Sequence, residues 1–231
     1  MPGPGFAAEA ADAYLRFTMS ARANAKHEQF ELFTTPPSVA RQPMPAGFRY
    51  APDLIDASEE ARLVEAFAEL PFKEFEFHGF LGKRRVVAFG FRYDYNDGGS
   101  GGGLQQAAPM PDFLLPLRER AAAFAGLPPD RLAHALVTEY RPGTSIGWHR
   151  DRPHYDDVIG ISLLTPSTFR MRRKREGSWE RASLRVDRRS IYLMRGPSRW
   201  EWEHSIPAVE GLRYSITFRS MRHPSQLSRA E

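Results

Sequence analysis

HALVTEYRPGTSIGWHRDRPHYDDVIGISLL, residues 134–164, marks a change in the character of the chain. Helix signals dominate ahead of it; from here on, short β-rich runs alternate with turn residues. The same texture continues in TFRMRRK (168–174), RASLRV (181–186), SIYLMRG (190–196) and RYSITFRS (213–220). Short strands at this spacing predict a sandwich or barrel. Two helices come first. DASEEARLVEAFAELP (56–71) is amphipathic, with Ser58 as its expected N-cap, Glu59 and Glu60 in the first turn and Pro71 to end it. PDFLLPLRERAAAFAG (111–126) is the second. Helices followed by a run of strands predict an α+β fold, with the helices packed on the outer face of a sheet. No internal repeat is present.

The 231 residues suffice for one catalytic-size domain with an extension. Residues 1–44 read as an Ala/Pro-rich extension, helical or disordered over Phe6–Phe33 and linker-like in TTPPSVARQPMPAG (34–47). Residues 45–222 read as the domain and 223–231 as a tail. The 42% hydrophobic content and 16 Phe fit a globular protein, and no apolar run is long enough to span a bilayer. The N-terminus has no basic start followed by an apolar block, so the cytoplasm is the expected location; a monomer is expected as well. With no Cys there is neither a disulfide framework nor a thiolate metal site.

The net charge of +4 is mild, but it concentrates in FRMRRKREGSWERASLRVDRRS (169–190). Such a stretch suits an anionic partner such as nucleic acid, or is a solvated hairpin whose charges protect a sheet edge. NDGGSGGGLQQ (96–106) reads as a flexible loop; it lacks the Lys-Ser/Thr of a phosphate-binding loop and opens no helix.

Within WHRDR, His149 and Asp151 are spaced i, i+2, which on a strand puts both side chains on one face. A third donor is needed, and His204 in WEWEHSI is the best candidate. Two His and one carboxylate form the facial triad of non-haem Fe(II) enzymes, which leaves positions open for a bidentate cosubstrate and O2. In RYSITFRS, Arg213, Ser215, Thr217 and Arg219 share one strand face, opposite Tyr214, Ile216 and Phe218. A polar face with an Arg at each end lines either solvent or a ligand cavity. Guanidinium groups bind carboxylates bidentately, which suits a dicarboxylate cosubstrate.

TEYRPGTSIGWHRD (138–151), RGPSRWEWEHSI (195–206) and RYSITFRS resemble, in order and spacing, the AlkB family of 2-oxoglutarate- and Fe(II)-dependent dioxygenases. The resemblance covers roughly residues 45–222. It implies a double-stranded β-helix (jelly roll) with N-terminal supporting helices. It implies His149, Asp151 and His204 as Fe(II) ligands, Arg213 for the distal carboxylate of 2-oxoglutarate and Arg219 near its C1 carboxylate. Tyr140 matches the Tyr that hydrogen-bonds the cosubstrate, and Thr138 stands where the family often has Asn. The implied reaction turns 2-oxoglutarate and O2 into succinate and CO2 while a substrate C–H bond is hydroxylated. An N-methyl so oxidised leaves as formaldehyde.

Family members act on alkylated DNA or RNA bases, and some on protein side chains. Alkylated nucleic acid is the expected partner; a protein or small-molecule substrate, or a non-catalytic nucleic-acid-binding jelly roll, are the alternatives. The lid region matches FEFHGFLGKRRVVAFGFRYDY (75–95), where Phe80 is a stacking finger or a core residue and Arg84 and Arg85 are candidates for phosphate contacts. Phe91 is read with Phe80 as a packing residue. His154, Tyr155 and Asp156 are expected at the pocket mouth, Asp157 at the rim or in loop solvation, and His154 is a loop residue rather than a fourth ligand. Arg152 and Pro153 follow Asp151 where nucleic-acid members tend to carry an acidic residue. Trp200 and Trp202 are read as the apolar face of a strand, and Arg199 is left between the surroundings of Asp151 and the substrate.

Overall fold

The structure is a computed structural model that describes residues 43–77, 80–94 and 103–222. It begins with β1 (Phe48–Ala51), α1 (Ala57–Phe67), β2 (Lys73–Phe77) and β3 (Phe80–Phe89). A short hairpin, β4 (Phe91–Asp94) with β5 (Gly103–Gln106), precedes α2 (Leu115–Ala125). The strand-rich part comprises β6 (His134–Tyr140), β7 (Ile146–His149), β8 (Tyr155–Leu164), β9 (Ser167–Arg175) and β10 (Ser178–Val186). It closes with β11 (Ser190–Met194), the single turn α3 (Pro197–Trp200), β12 (Glu203–Ile206) and β13 (Arg213–Met221).

These strands form a seven-stranded sheet in the order β1-β11-β8-β13-β6-β3-β2 and a four-stranded sheet in the order β10-β9-β12-β7. Their alternation sorts the apolar residues into two cores. Tyr214, Ile216 and Phe218 of β13 face outward and pack with Leu63 and Phe67 of α1 and Leu117 and Ala121 of α2. On the other side Tyr140, Val158, Tyr192 and Met194 of the large sheet meet Phe169, Met171, Ala182 and Ile206 of the small one. Two facing antiparallel sheets with helices on one outer face are the double-stranded β-helix the sequence pointed to. No helix among the described residues is long and apolar enough to cross a membrane.

Some local expectations are corrected. Asp56, not Ser58, caps α1: its carboxylate accepts from the Glu59 N–H at 2.7 Å, while the Ser58 hydroxyl donates to that same carboxylate. The helix stops at Phe67, four residues before Pro71. The end of NDGGSGGGLQQ is not loop, since Gly103–Gln106 pairs with β4. Trp200 does not share a strand face with Trp202: it ends α3, and only Trp202 is buried in the inter-sheet core. Residues 1–42 and 223–231, and most of the Gly run, lie outside the described residues.

Candidate active site

The small sheet carries two of the three expected ligands. His149 ends β7 and His204 lies on β12, directly opposite in register, with ring centroids 4.2 Å apart. Asp151 is not on the strand; it sits in the irregular segment just beyond β7. It still reaches the pair, with Oδ2 3.8 Å from His204 Nε2. Its other oxygen, Oδ1, accepts from Arg219 Nε at 3.1 Å and Nη2 at 2.7 Å. Among the described residues no group of three imidazole and carboxylate side chains stands in closed ligand geometry. Asp151 is shared between the guanidinium and the imidazoles.

The protonation states fit metal binding. His149 Nδ1 lies 2.9 Å from the Gly147 carbonyl, a contact that needs the proton on Nδ1 and so turns Nε2 to the site as the ligating nitrogen of the neutral ring. Burial, with His149 beside it, pushes His204 down to about 3, so its imidazole is neutral. Burial alone would raise Asp151, but the Arg219 guanidinium holds it well below the usual carboxylate range. Two imidazoles and one carboxylate are a donor set that suits Fe(II).

The large sheet provides the opposite wall. Arg213 is 1% exposed and its guanidinium stacks 4.7 Å over the Tyr140 ring. Nε donates to Ser162 Oγ at 3.2 Å, whereas Nη1 is buried with no protein partner. A buried cationic donor left open inside a fold costs stability unless an anion meets it. Tyr140 Oη lies 3.4 Å from Ser215 Oγ, and Thr138, on the same strand face as Tyr140, is buried opposite Ser215. Tyr192 joins the two walls. Its ring is 4.8 Å from Phe169, which stacks on His204. Burial pushes that phenol up, so it stays protonated.

Other candidates are placed differently. Arg85 makes a bidentate pair with Glu139 at 2.8 and 2.7 Å, and Glu139 also accepts from the Tyr214 hydroxyl on the helix side of the sheet. Strand alternation therefore turns Arg85 away from Tyr140 and Arg213. Arg84 falls on the inner side, its guanidinium 3.8 Å over the Phe75 ring. Phe80 opens β3 opposite Phe77, and its side chain lies outside the described residues. Tyr155 is not at a rim: it is buried where β8 starts, with Arg219 5.0 Å over its ring. Asp157, read as rim or loop, is buried in a bidentate pair with Arg195. Half-buried His154 lies just ahead of β8, its carbonyl accepting from the Arg222 N–H at 2.9 Å.

Arg199 touches carbonyls rather than Asp151. Its Nε donates to Asp156 O at 3.0 Å, and Nη2 to the carbonyls of Arg152 and Tyr155 at 2.7 and 2.8 Å. It thereby pins the segment that leaves Asp151. One participant escaped the sequence reading. Buried His134 sits across from Arg219 in the β6–β13 register, with Nδ1 3.4 Å from Arg219 Nη1. Only strand pairing could have revealed it, because 85 residues separate the two.

Compared with known proteins, residues 47–219 match the 2OG-Fe(II) oxygenase superfamily. The chain is 24% identical over 202 residues to the alkylated DNA repair protein ALKBH8 homolog of Arabidopsis thaliana, covering 78% of this chain and 56% of that one. It is 26% identical over 169 residues to the mouse tRNA (carboxymethyluridine(34)-5-O)-methyltransferase ALKBH8, covering 71% of this chain and 24% of that protein. The match thus spans little more than half of the first relative and a quarter of the second. Among solved structures, that of OsALKBH1 superposes with a TM-score of 0.61 at 14% identity, over 78% of this chain and 100% of that one. A 2OG-Fe(II) oxygenase-family oxidoreductase from Burkholderia pseudomallei gives 0.52 at 19% identity, over 77% and 86%. At these identities the superpositions speak for the fold alone.

Proposed function

The chain belongs to the 2OG-Fe(II) oxygenase superfamily, whose chemistry requires Fe(II), 2-oxoglutarate and O2, and from that premise we propose that it oxidatively demethylates alkylated bases in nucleic acid. The domain responsible is residues 45–222, working as a monomer in the cytoplasm. His149, Asp151 and His204 hold the iron. Arg213 Nη1 receives the distal carboxylate of 2-oxoglutarate, and Tyr140 and Thr138 flank the cosubstrate. The single observation that carries this reading is the buried, unpartnered Nη1 of Arg213, in the same inter-sheet space as the His–Asp–His group.

When bound, Fe(II) and 2-oxoglutarate supply the oxidation: with O2 they yield succinate, CO2 and a hydroxylated substrate carbon. The chain's own part is positional and electrostatic. The Gly147 carbonyl fixes the His149 tautomer, and burial keeps His204 neutral. Arg219, near the C1 carboxylate of 2-oxoglutarate, also orients Asp151 and keeps it ionised, while His134 and Tyr155 hold Arg219 from behind. The Phe169 and Tyr192 rings line the space between the walls and exclude water. Nucleic acid as the substrate class is supported by the names of the two relatives, one an alkylated DNA repair protein homolog and the other a tRNA methyltransferase.

The test is succinate formation with Fe(II) and 2-oxoglutarate, alone and with methylated oligonucleotides. The proposal expects methylated DNA or RNA to stimulate succinate and to release formaldehyde in step with it. Turnover that no methylated nucleic acid stimulates, but a protein or small molecule does, would overturn the substrate and keep the reaction.

A further inference from the structure

The small sheet has a second side. Phe169 and Met171 of β9 and Ala182 and Val186 of β10 face the inter-sheet core, so the alternate positions face outward. Those positions are Arg170, Arg172 and Lys174 on β9 and Trp179 and Arg181 on β10. Register sets Lys174 opposite Trp179 and Arg172 opposite Arg181. Trp148 joins them from β7, at the far edge of the sheet. The Arg172 guanidinium lies 4.4 Å over the Trp148 ring and 4.3 Å over the Trp179 ring, and Arg170 lies 5.2 Å over Trp148. Aromatic and cationic side chains therefore cover β9 and β10 and meet Trp148 of β7 across β12, which contributes Glu203 and Ser205 as partners of Arg172 and Arg170.

Folding alone does not ask for this arrangement. Two arginines directly opposite each other on antiparallel strands destabilise the pair. Charges that guard a sheet edge explain β10 but not β9, which is an interior strand. Trp179, 39% exposed, is one of two large apolar side chains exposed among the described residues. Glu203 tempers one cation, accepting from Arg172 Nε at 2.7 Å. Cations that track a backbone, beside an exposed indole that Arg172 covers from one side, are what a single nucleic-acid strand needs.

We propose that this outer face binds a single-stranded segment of nucleic acid, its phosphates on Arg170, Lys174 and Arg181 and a base stacked on Trp179. This rests on nucleic acid being the substrate and adds a second contact to it. His149 and His204 occupy the opposite side of the same sheet, on β7 and β12. A strand that passes the β7 edge reaches both sides, so the face holds the substrate away from the base being oxidised.

The experiment is fluorescence anisotropy with a labelled, unmodified oligothymidylate of about 20 nucleotides, longer than the ~4–16 nucleotides a single-strand site occupies. Wild type is compared with Trp179→Ala and with the double variant Lys174→Glu/Arg181→Glu across a salt series. Wild-type affinity falls as salt rises. The double variant weakens binding at least about tenfold and flattens the salt slope, whereas Trp179→Ala weakens it roughly 5- to 100-fold with the slope retained. Succinate formation without nucleic acid stays at the wild-type rate in both, which shows that they are folded. If the variants bind the oligonucleotide as wild type does, the surface is wrong and the substrate reading stands. If wild type binds no unmodified strand while methylated oligonucleotides stimulate turnover, the surface again is wrong. If wild type binds none and none stimulates turnover, both readings fall together.

Discussion

Arg213 combines nearly complete burial with an open donor, and that pairing is what supports it as the proposed cosubstrate anchor. Replacing it with Met removes the charge proposed to receive the distal carboxylate while keeping much of the bulk over Tyr140. The expected result is a rise in the KM for 2-oxoglutarate equivalent to roughly 2–5 kcal/mol, the cost of removing one partner of a buried charge pair. Steady-state succinate assays read this directly. Arg219 acts through Asp151, so its loss shows on the metal. Arg219→Met lowers Fe(II) affinity about 10- to 100-fold, measured by anaerobic titration, and Arg219→Lys restores part of it. An unchanged Fe(II) titration in Arg219→Met would mean that the contact with Asp151 orients nothing.

At the scale of elements, α1 is tied to the sheet through one buried carboxylate. Glu60, 1% exposed, accepts from the Leu164 N–H at 2.8 Å and Arg188 Nε at 3.0 Å, with Arg189 adjoining. Glu60→Ala leaves that N–H and the arginines without their acceptor and costs about 1–3 kcal/mol in chemical denaturation. Burial alone would raise the Glu60 pKa, but Arg188 and the Leu164 N–H bring it below the ordinary 4.5. A depressed carboxylate stabilises the fold above its unfolded pKa and stops doing so as pH falls through the folded value. The difference between wild type and Glu60→Gln is therefore full at neutral pH and shrinks below about pH 4; a difference that grows on acidification would contradict it. Gly160 is a second element-scale constraint, because a Cβ there would stand 2.1 Å from the Tyr192 ring. Gly160→Ala displaces Tyr192 and destabilises by about 1–3 kcal/mol, with a loss of 2-oxoglutarate turnover that exceeds the loss of fold.

Across the whole molecule, what the sequence made legible was periodicity and local spacing. RYSITFRS declared both faces of β13, and the structure puts the helices against one and the inter-sheet space against the other. His149, Asp151 and His204 came from a short motif and one distant residue, and the β7–β12 pairing brings the two imidazoles into contact. What stayed hidden depended on partners far along the chain. Arg85 looked available for phosphate until Glu139 engaged it across β3 and β6, and His134 had no visible role until β6 lay beside β13. Tyr155 and Asp157 looked like rim residues because charge and loop position say nothing of burial. The basic stretch 169–190 was ambiguous as a run of letters; alternation sends Arg173 to Glu180 and sets Arg172 between two indoles.

The most direct test of the site is anaerobic titration of Fe(II) and 2-oxoglutarate, read by the visible charge-transfer absorption that an α-keto acid chelated to Fe(II) produces. Wild type should develop this band at a stoichiometry of one iron per chain. His149→Ala and His204→Ala should not develop it, and Arg213→Met should need far more 2-oxoglutarate to reach the same intensity. A band of wild-type strength in His149→Ala and His204→Ala would contradict the assignment of the iron to these residues.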